Sequence, residues 1–130
     1  MHYSYQISAD QLLIIVTIRG EFTVEELISH SKRMLADPSF DTRYDGIVDM
    51  RKATANISKV ELLGFADLLE QTGAFAIKTK WAFITTDPIV LTLTETYKNR
   101  LNQGEYAQAF STAQAAADFL NNPEVLNYIG

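Results

Sequence analysis

The sequence contains no cysteine, which excludes disulfides, thiolate metal sites and a cysteine nucleophile. Basic residues are the minority: 11 Lys and Arg stand against 16 Asp and Glu, for a net charge of −5. Nucleic-acid backbones and anionic membranes are bound by basic faces, so neither is the expected partner. Histidine occurs only as His2 and His30, neither at a spacing from other His, Asp or Glu residues that suits a metal. No metal and no cofactor is therefore implied. The glycines stand at 20, 46, 64, 73, 104 and 130, never clustered, so there is no phosphate-cradling loop. A Gly-x-Ser-x-Gly nucleophile elbow is also missing. The apolar run Leu12 to Ile18 falls well short of the roughly 20 residues that span a bilayer. The first residues lack a basic, apolar targeting pattern. The chain reads as cytoplasmic, with no transmembrane segment.

What is present suits one ordinary domain. The length is 130 residues, with 47% hydrophobic and 21% charged, within the globular range. No linker, repeat or low-complexity tract interrupts it. Residues 3–120 read as the domain and 121–130 as a C-terminal tail.

The chain divides into alternating elements. His2 to Ser8 alternates, with Tyr3, Tyr5 and Ile7 on one side, as a strand with one wet face does. After a short polar break, Leu12 to Arg19 (LLIIVTIR) is apolar on both faces and β-branched, and Gly20 ends it. The short break predicts an antiparallel hairpin. Thr23-Val24-Glu25-Glu26 has the form of a capping box opening a helix, which stops before Asp37-Pro38. Tyr44 to Met50 is a third strand. Ser58-Lys59-Val60-Glu61 is a second capping box, for a helix reaching about Thr72 with Gly73 at its C-terminal cap. Lys80 to Thr86 is a fourth strand. Asp87-Pro88 starts a helix as cap and first residue. That helix is rich in Thr and Val, so packing rather than propensity must hold it. Tyr106 to Phe110 is a short fifth strand. Ser111-Thr112-Ala113-Gln114 reads as a third capping box for a last helix ending near Leu120.

The order is ββαβαβαβα: an α/β domain with a five-stranded mixed sheet, a leading hairpin and four helices. Strands alternating with helices pair in parallel through right-handed crossovers. If every crossover steps the same way, the helices share one face and the other is bare. Yet Leu12 to Ile18 and Ile47-Val48 are apolar on both sides, and such strands are normally covered on both. Two covers compete: a homodimer through the bare face, which is favoured, or the tail from Glu124 to Ile129 folding back.

This order, together with Gly20 after the hairpin, Asp37-Pro38, Asp49-Met50-Arg51 ending the third strand, the capped helix at Ser58, and Asp87-Pro88, resembles STAS domains, and more closely the SpoIIAA-like (STAS/SEC14) branch. The likeness runs from about Tyr3 to Leu120. It implies a non-enzymatic binding or regulatory module, acting through a protein partner or a small ligand, anionic or lipophilic. In antagonist members a Ser at the start of the second helix is phosphorylated by a partner kinase, and Ser58 takes that place. The family pattern there is Asp-Ser-Ser/Thr-Gly, whereas this chain reads Ile57-Ser58-Lys59-Val60, without the Asp and the Gly. The residues favour a helix cap over a phosphosite.

In a parallel sheet the strand C-termini and the following helix N-termini share one rim. Asp49, Arg51, Lys52, Thr86 and Ser111 are the candidate ligand-binding residues there. Helix N-termini and two cations suit a small anion. The rival reading is a small enzyme with Asp49 as base and Arg51 as anion clamp, although a neighbouring Arg would lower the pKa that such a base needs raised. Trp81, Phe83, Phe65, Phe75, Tyr97 and Phe110 are many rings for one small domain. The SEC14-type likeness implies a lipophilic site among them; core packing is the simpler reading.

Overall fold

The structure is a computed structural model that describes residues 1–130. Strands β1 (His2–Ser8), β2 (Leu13–Phe22), β3 (Asp45–Ala55), β4 (Trp81–Ile84) and β5 (Ala107–Phe110) form one sheet in the order β1-β2-β3-β4-β5. The first pair is antiparallel, from His2 opposite Arg19 to Ser8 opposite Leu13. The other three pairs are parallel. The helices are α1 (Val24–Leu35), α2 (Lys59–Thr72), α3 (Pro88–Arg100), α4 (Ala113–Leu120) and α5 (Val125–Ile129), with a short 3-10 turn at Gly104–Tyr106.

The expected α/β fold with its leading hairpin is present. The capping boxes at Thr23 and Ser58 both form, each hydroxyl receiving the third backbone N–H and each Glu returning to the cap. Asp87 receives the N–H groups of Ile89 and Val90. The third box does not form as expected. Thr112, not Ser111, caps α4, and the Gln114 amide bonds forward to Asp118 instead of back to the cap. In α3 the hydroxyls of Thr92, Thr94 and Thr96 bond the carbonyls four residues before them, which satisfies them within a helix of weak propensity.

Two differences from the expected outline matter. First, β2 and β3 run on past the rest of the sheet. β3 last pairs with β4 at Asp49 opposite Ile84 but continues to Ala55, about 20 Å of further chain at ~3.3 Å per residue. It stays paired with β2 after a break in register between Thr17 and Arg19, and Gly20 passes this stretch at φ 79°, a left-handed conformation that glycine adopts without strain. Second, there are five helices, not four, because the tail is helical.

That fifth helix answers the question of the second face. One cluster, with Ile14, Val16, Ile18, Met50, Trp81 and Phe83 from the sheet, packs under α1, α2 and α3. Leu13, Ile15, Ile47, Ala82 and Ile84 point the other way and pack under α4 and Val125 of α5, flanked by Leu126, Tyr128 and Ile129. The crossovers put α1–α3 on one side as expected, and the last helix with the tail wraps round to the other. The bare face expected from the order of elements does not exist, so the area argument for a homodimer through it no longer applies. Small residues make the cover close: Ala113, Ala116 and Ala117 of α4 lie against Ala82 and Ile84.

Cutting the chain after Asn122 removes α5 and exposes Val125's side of this layer. The truncated chain is expected to lose stability and to self-associate more strongly than the full chain in sedimentation equilibrium. A second test concerns Gly46, which lies opposite Trp81 across the β3–β4 pair. A methyl group there would overlap the indole ring. Gly46→Ala is expected to cost about 1–3 kcal/mol in urea denaturation, the usual range for overpacking.

Candidate functional site

Of the strand-end residues, only Asp49 and Arg51 are joined by side-chain bonds. Asp49 lies two residues beyond Ile47 on β3, shares its face, and so points to the α5 side of the sheet. Arg51 closes onto it through two parallel bonds: Nε donates to Oδ1 and Nη2 to Oδ2, both at 2.9 Å. The Arg51 backbone N–H also donates to Oδ1, at 3.1 Å. The same Nη2 donates to the Ile129 carbonyl oxygen at 2.6 Å. This is the C-terminal end of α5, where carbonyls lack helical partners and a cation is favourable. The Asp49–Arg51 pair thus fastens the tail helix to the sheet. Burial pushes the Asp49 carboxyl up, but the hydrogen bonds and charge of Arg51, with Arg19 beyond, outweigh it and leave the pKa below the usual range. The Asp49 bonds hold the Arg51 guanidinium more firmly protonated still. Arg51 is committed to two protein groups, and Asp49 is a stable anion.

The other expected residues make no side-chain bond to this pair, although Thr86 and Ser111 are neighbours, following Thr85 and Phe110 whose backbones are bonded at 3.0 Å. Lys52 lies on the extension of β3, opposite Arg19, and is exposed. Thr86 is exposed in the β4–α3 connection and Ser111 in the β5–α4 connection. The N-termini of α2 and α3 lie on one side of the sheet, while Arg51 faces the other. Ser58 is exposed, and its hydroxyl accepts the Glu61 N–H at 3.1 Å, so the cap role is in use. His30 stacks on Tyr3 at 4.9 Å between ring centroids, and its Nδ1 lies 2.7 Å from Arg33 Nη2. No three His, Asp or Glu side chains converge as metal ligands would.

The feature with room for a ligand is apolar. A cavity of about 120 Å3 lies between the sheet and helices α1, α2 and α3. Of its 24 lining residues 21 are hydrophobic, and none carries a charge. Five of the six aromatic residues picked out in the sequence line it: Phe65, Phe75, Trp81, Phe83 and Tyr97. Phe110 instead packs on Phe119 at the opposite face. The rings form the core, yet they do not close it. Tyr97 lies between Phe65, at 6.1 Å, and Phe83, at 6.0 Å. Residues that sequence reasoning did not place here include Tyr3, Ser31, Met34 and Gln103. Alternation places Tyr3 on the apolar side of β1, which the dimer reading puts on the bare face of the sheet, whereas Tyr3 packs in the layer under α1–α3; nothing in the sequence marks where packing stops short.

No protein-family model and no curated protein sequence matches the chain significantly. Solved structures do match. A DUF3478-family protein with a SpoIIAA-like fold from Shewanella loihica PV-4 superposes with a TM-score of 0.57 at 15% identity, over 92% of both chains. The anti-sigma factor antagonist SpoIIAA in its unphosphorylated form gives 0.51 at 12% identity, over 90% of this chain and 95% of its own. The fold is SpoIIAA-like. Within this SpoIIAA-like frame Ser58 begins the second helix as expected. No helix is long and apolar enough to cross a membrane.

The Asp49–Arg51 bond has a pH signature. The depressed Asp49 pKa contributes stability that is present above its ordinary value near 3.8 and is lost as pH falls through the lower folded value. Asp49→Asn is therefore expected to flatten the loss of stability below about pH 4, read as the urea midpoint against pH. Arg51→Gln is expected to cost about 2 kcal/mol at neutral pH, the scale for hydrogen bonds to charged groups.

Proposed function

We propose that this chain is a non-enzymatic binding module of SpoIIAA-like fold whose recognition element is the apolar cavity under α1, α2 and α3, and whose ligand is a small lipophilic molecule. The observation that carries the reading is the cavity of about 120 Å3 with an uncharged, ring-rich wall. Leaving that much space unfilled costs about 3 kcal/mol at ~24 cal/mol per Å3. That is a large share of the 5–15 kcal/mol by which domains are stable, and apolar cavities of this order accept benzene-sized guests. A regulatory role through a protein partner fits with it, since ligand binding among three helices can bias the surface they present.

The anionic alternative has less support. Arg51 already holds Asp49 and the Ile129 carbonyl, and Lys52, Thr86 and Ser111 are exposed. The enzyme reading loses its base for the same reason, because Asp49 is held ionised with its acceptors used. A homodimer through the second face, the assembly favoured by the sequence, would require α5 to leave.

Trp81 is the single tryptophan and lines the cavity, so it reports occupancy directly. Toluene or indane is expected to change Trp81 emission saturably and to raise Tm. Ala107, buried in the same wall, offers a filled control. Ala107→Leu is expected to keep the fold and weaken both responses. Absence of any response in the parent chain, or an unchanged response in a folded Ala107→Leu, would refute the reading.

A further inference from the structure

The cavity wall has two phenols. Tyr3 donates its hydroxyl to the Met34 sulfur at 3.8 Å, a soft acceptor. Tyr97 Oη makes no hydrogen bond to the protein, and yet it is not sealed among apolar atoms, since the structure contains no shut-in polar side-chain atom without a partner. Its ring is fixed by Phe65 and Phe83, so the hydroxyl is held in position. Burial pushes both phenol pKa values up, that of Tyr3 to about 12. Both are therefore neutral donors at physiological pH. The other polar side chains of the wall face protein groups: Thr94 Oγ1 is bonded to the Val90 carbonyl at 2.8 Å, the Gln103 amide reaches the Leu101 carbonyl at 3.5 Å, and the Ser31 hydroxyl lies beside the Tyr3 phenol.

We infer that the ligand is an uncharged, mainly apolar molecule with one hydrogen-bond-accepting group, such as a ketone, ester or ether oxygen, which Tyr97 Oη receives. This rests on the cavity being the binding site. Two physical facts carry it. No Lys, Arg, His, Asp or Glu lines the cavity, so a carboxylate, phosphate or ammonium group would lose its hydration without a counter-charge. A phenol donor left without an acceptor in an apolar pocket also loses its hydration, which disfavours a pure hydrocarbon relative to a ligand that supplies an oxygen. Small-molecule sites of this kind are mostly apolar, with a few placed polar groups setting orientation.

Three probes of matched size separate the possibilities: acetophenone, ethylbenzene and benzoate. Each is titrated against the full chain with Trp81 emission and amide chemical shifts as readouts. Acetophenone is expected to bind about fivefold more tightly than ethylbenzene, the usual net value of one hydrogen bond, and benzoate not to bind. In Tyr97→Phe the fivefold preference is expected to vanish, because ethylbenzene no longer strips water from an unpaired phenol and gains affinity while acetophenone loses its donor. Retained binding of ethylbenzene also controls for folding. In Tyr3→Phe the preference is expected to persist. Equal binding of acetophenone and ethylbenzene, tight binding of benzoate, or a preference that survives Tyr97→Phe would overturn this inference while leaving the cavity as the binding site. Failure of all three probes would bring down the cavity reading itself.

Discussion

A parallel sheet that is apolar on both faces must be covered twice, and this constraint organises the whole chain. Three right-handed crossovers stepping in one direction can cover only one face. The second is left for whatever follows β5, or another subunit, to close. Here α4 and α5 do it, with Leu13, Ile15, Ile47 and Ile84 beneath them. The tail is thus part of the core, and Val125 is among its fully buried side chains.

The two layers are packed by different rules. The α4 side is built from small residues, Ala113, Ala116 and Ala117, which let the helix approach the sheet closely. The α1–α3 side is built from rings and long aliphatics. The cavity lies between these side chains of the sheet and those of the three helices. Close packing on one face gives the sheet a rigid floor. A less complete fit on the other leaves space there for a small molecule. The polar features of the wall are few, and they sit on elements fixed by ring contacts, which is how a shallow set of groups acquires orientation.

Electrostatics serve the architecture in the same way. Asp49 and Arg51 have the residue types of a catalytic pair, but their geometry makes them a fastening. The two parallel bonds between them hold the guanidinium flat, and the second N–H of the same Nη2 reaches the Ile129 carbonyl. The end of α5 is thereby tied to the middle of β3, 78 residues earlier in the chain. On the outer surface, Arg100 joins Asp67 and Glu70, linking α3 to α2 along the edge of the cavity-bearing layer. Charges hold the helices in place around a cavity whose wall has none.

Periodicity and local chemistry made the elements legible. Alternation at Tyr3, Tyr5 and Ile7, the β-branched run after Leu12, the boxes at Thr23 and Ser58, and Asp87-Pro88 each act within a few residues, so the sequence alone determined five strands, their order and their crossovers. It also determined that both faces of the sheet needed cover. It misjudged the cap of α4 by one residue, because Ser111 and Thr112 are chemically equivalent caps and only the path of the chain after β5 chooses between them. It placed Asp49, Arg51, Lys52, Thr86 and Ser111 on one rim because strand ends share a rim in an even sheet. The extension of β2 and β3 breaks that evenness, and pleating sends Arg51 to the far face. Whether α5 or a second subunit closes the sheet, which carbonyl Arg51 finds, and whether the aromatic residues fill their space or line a cavity are decided by contacts between residues far apart in sequence. Those contacts depend on shapes meeting in three dimensions, and no short-range pattern encodes them.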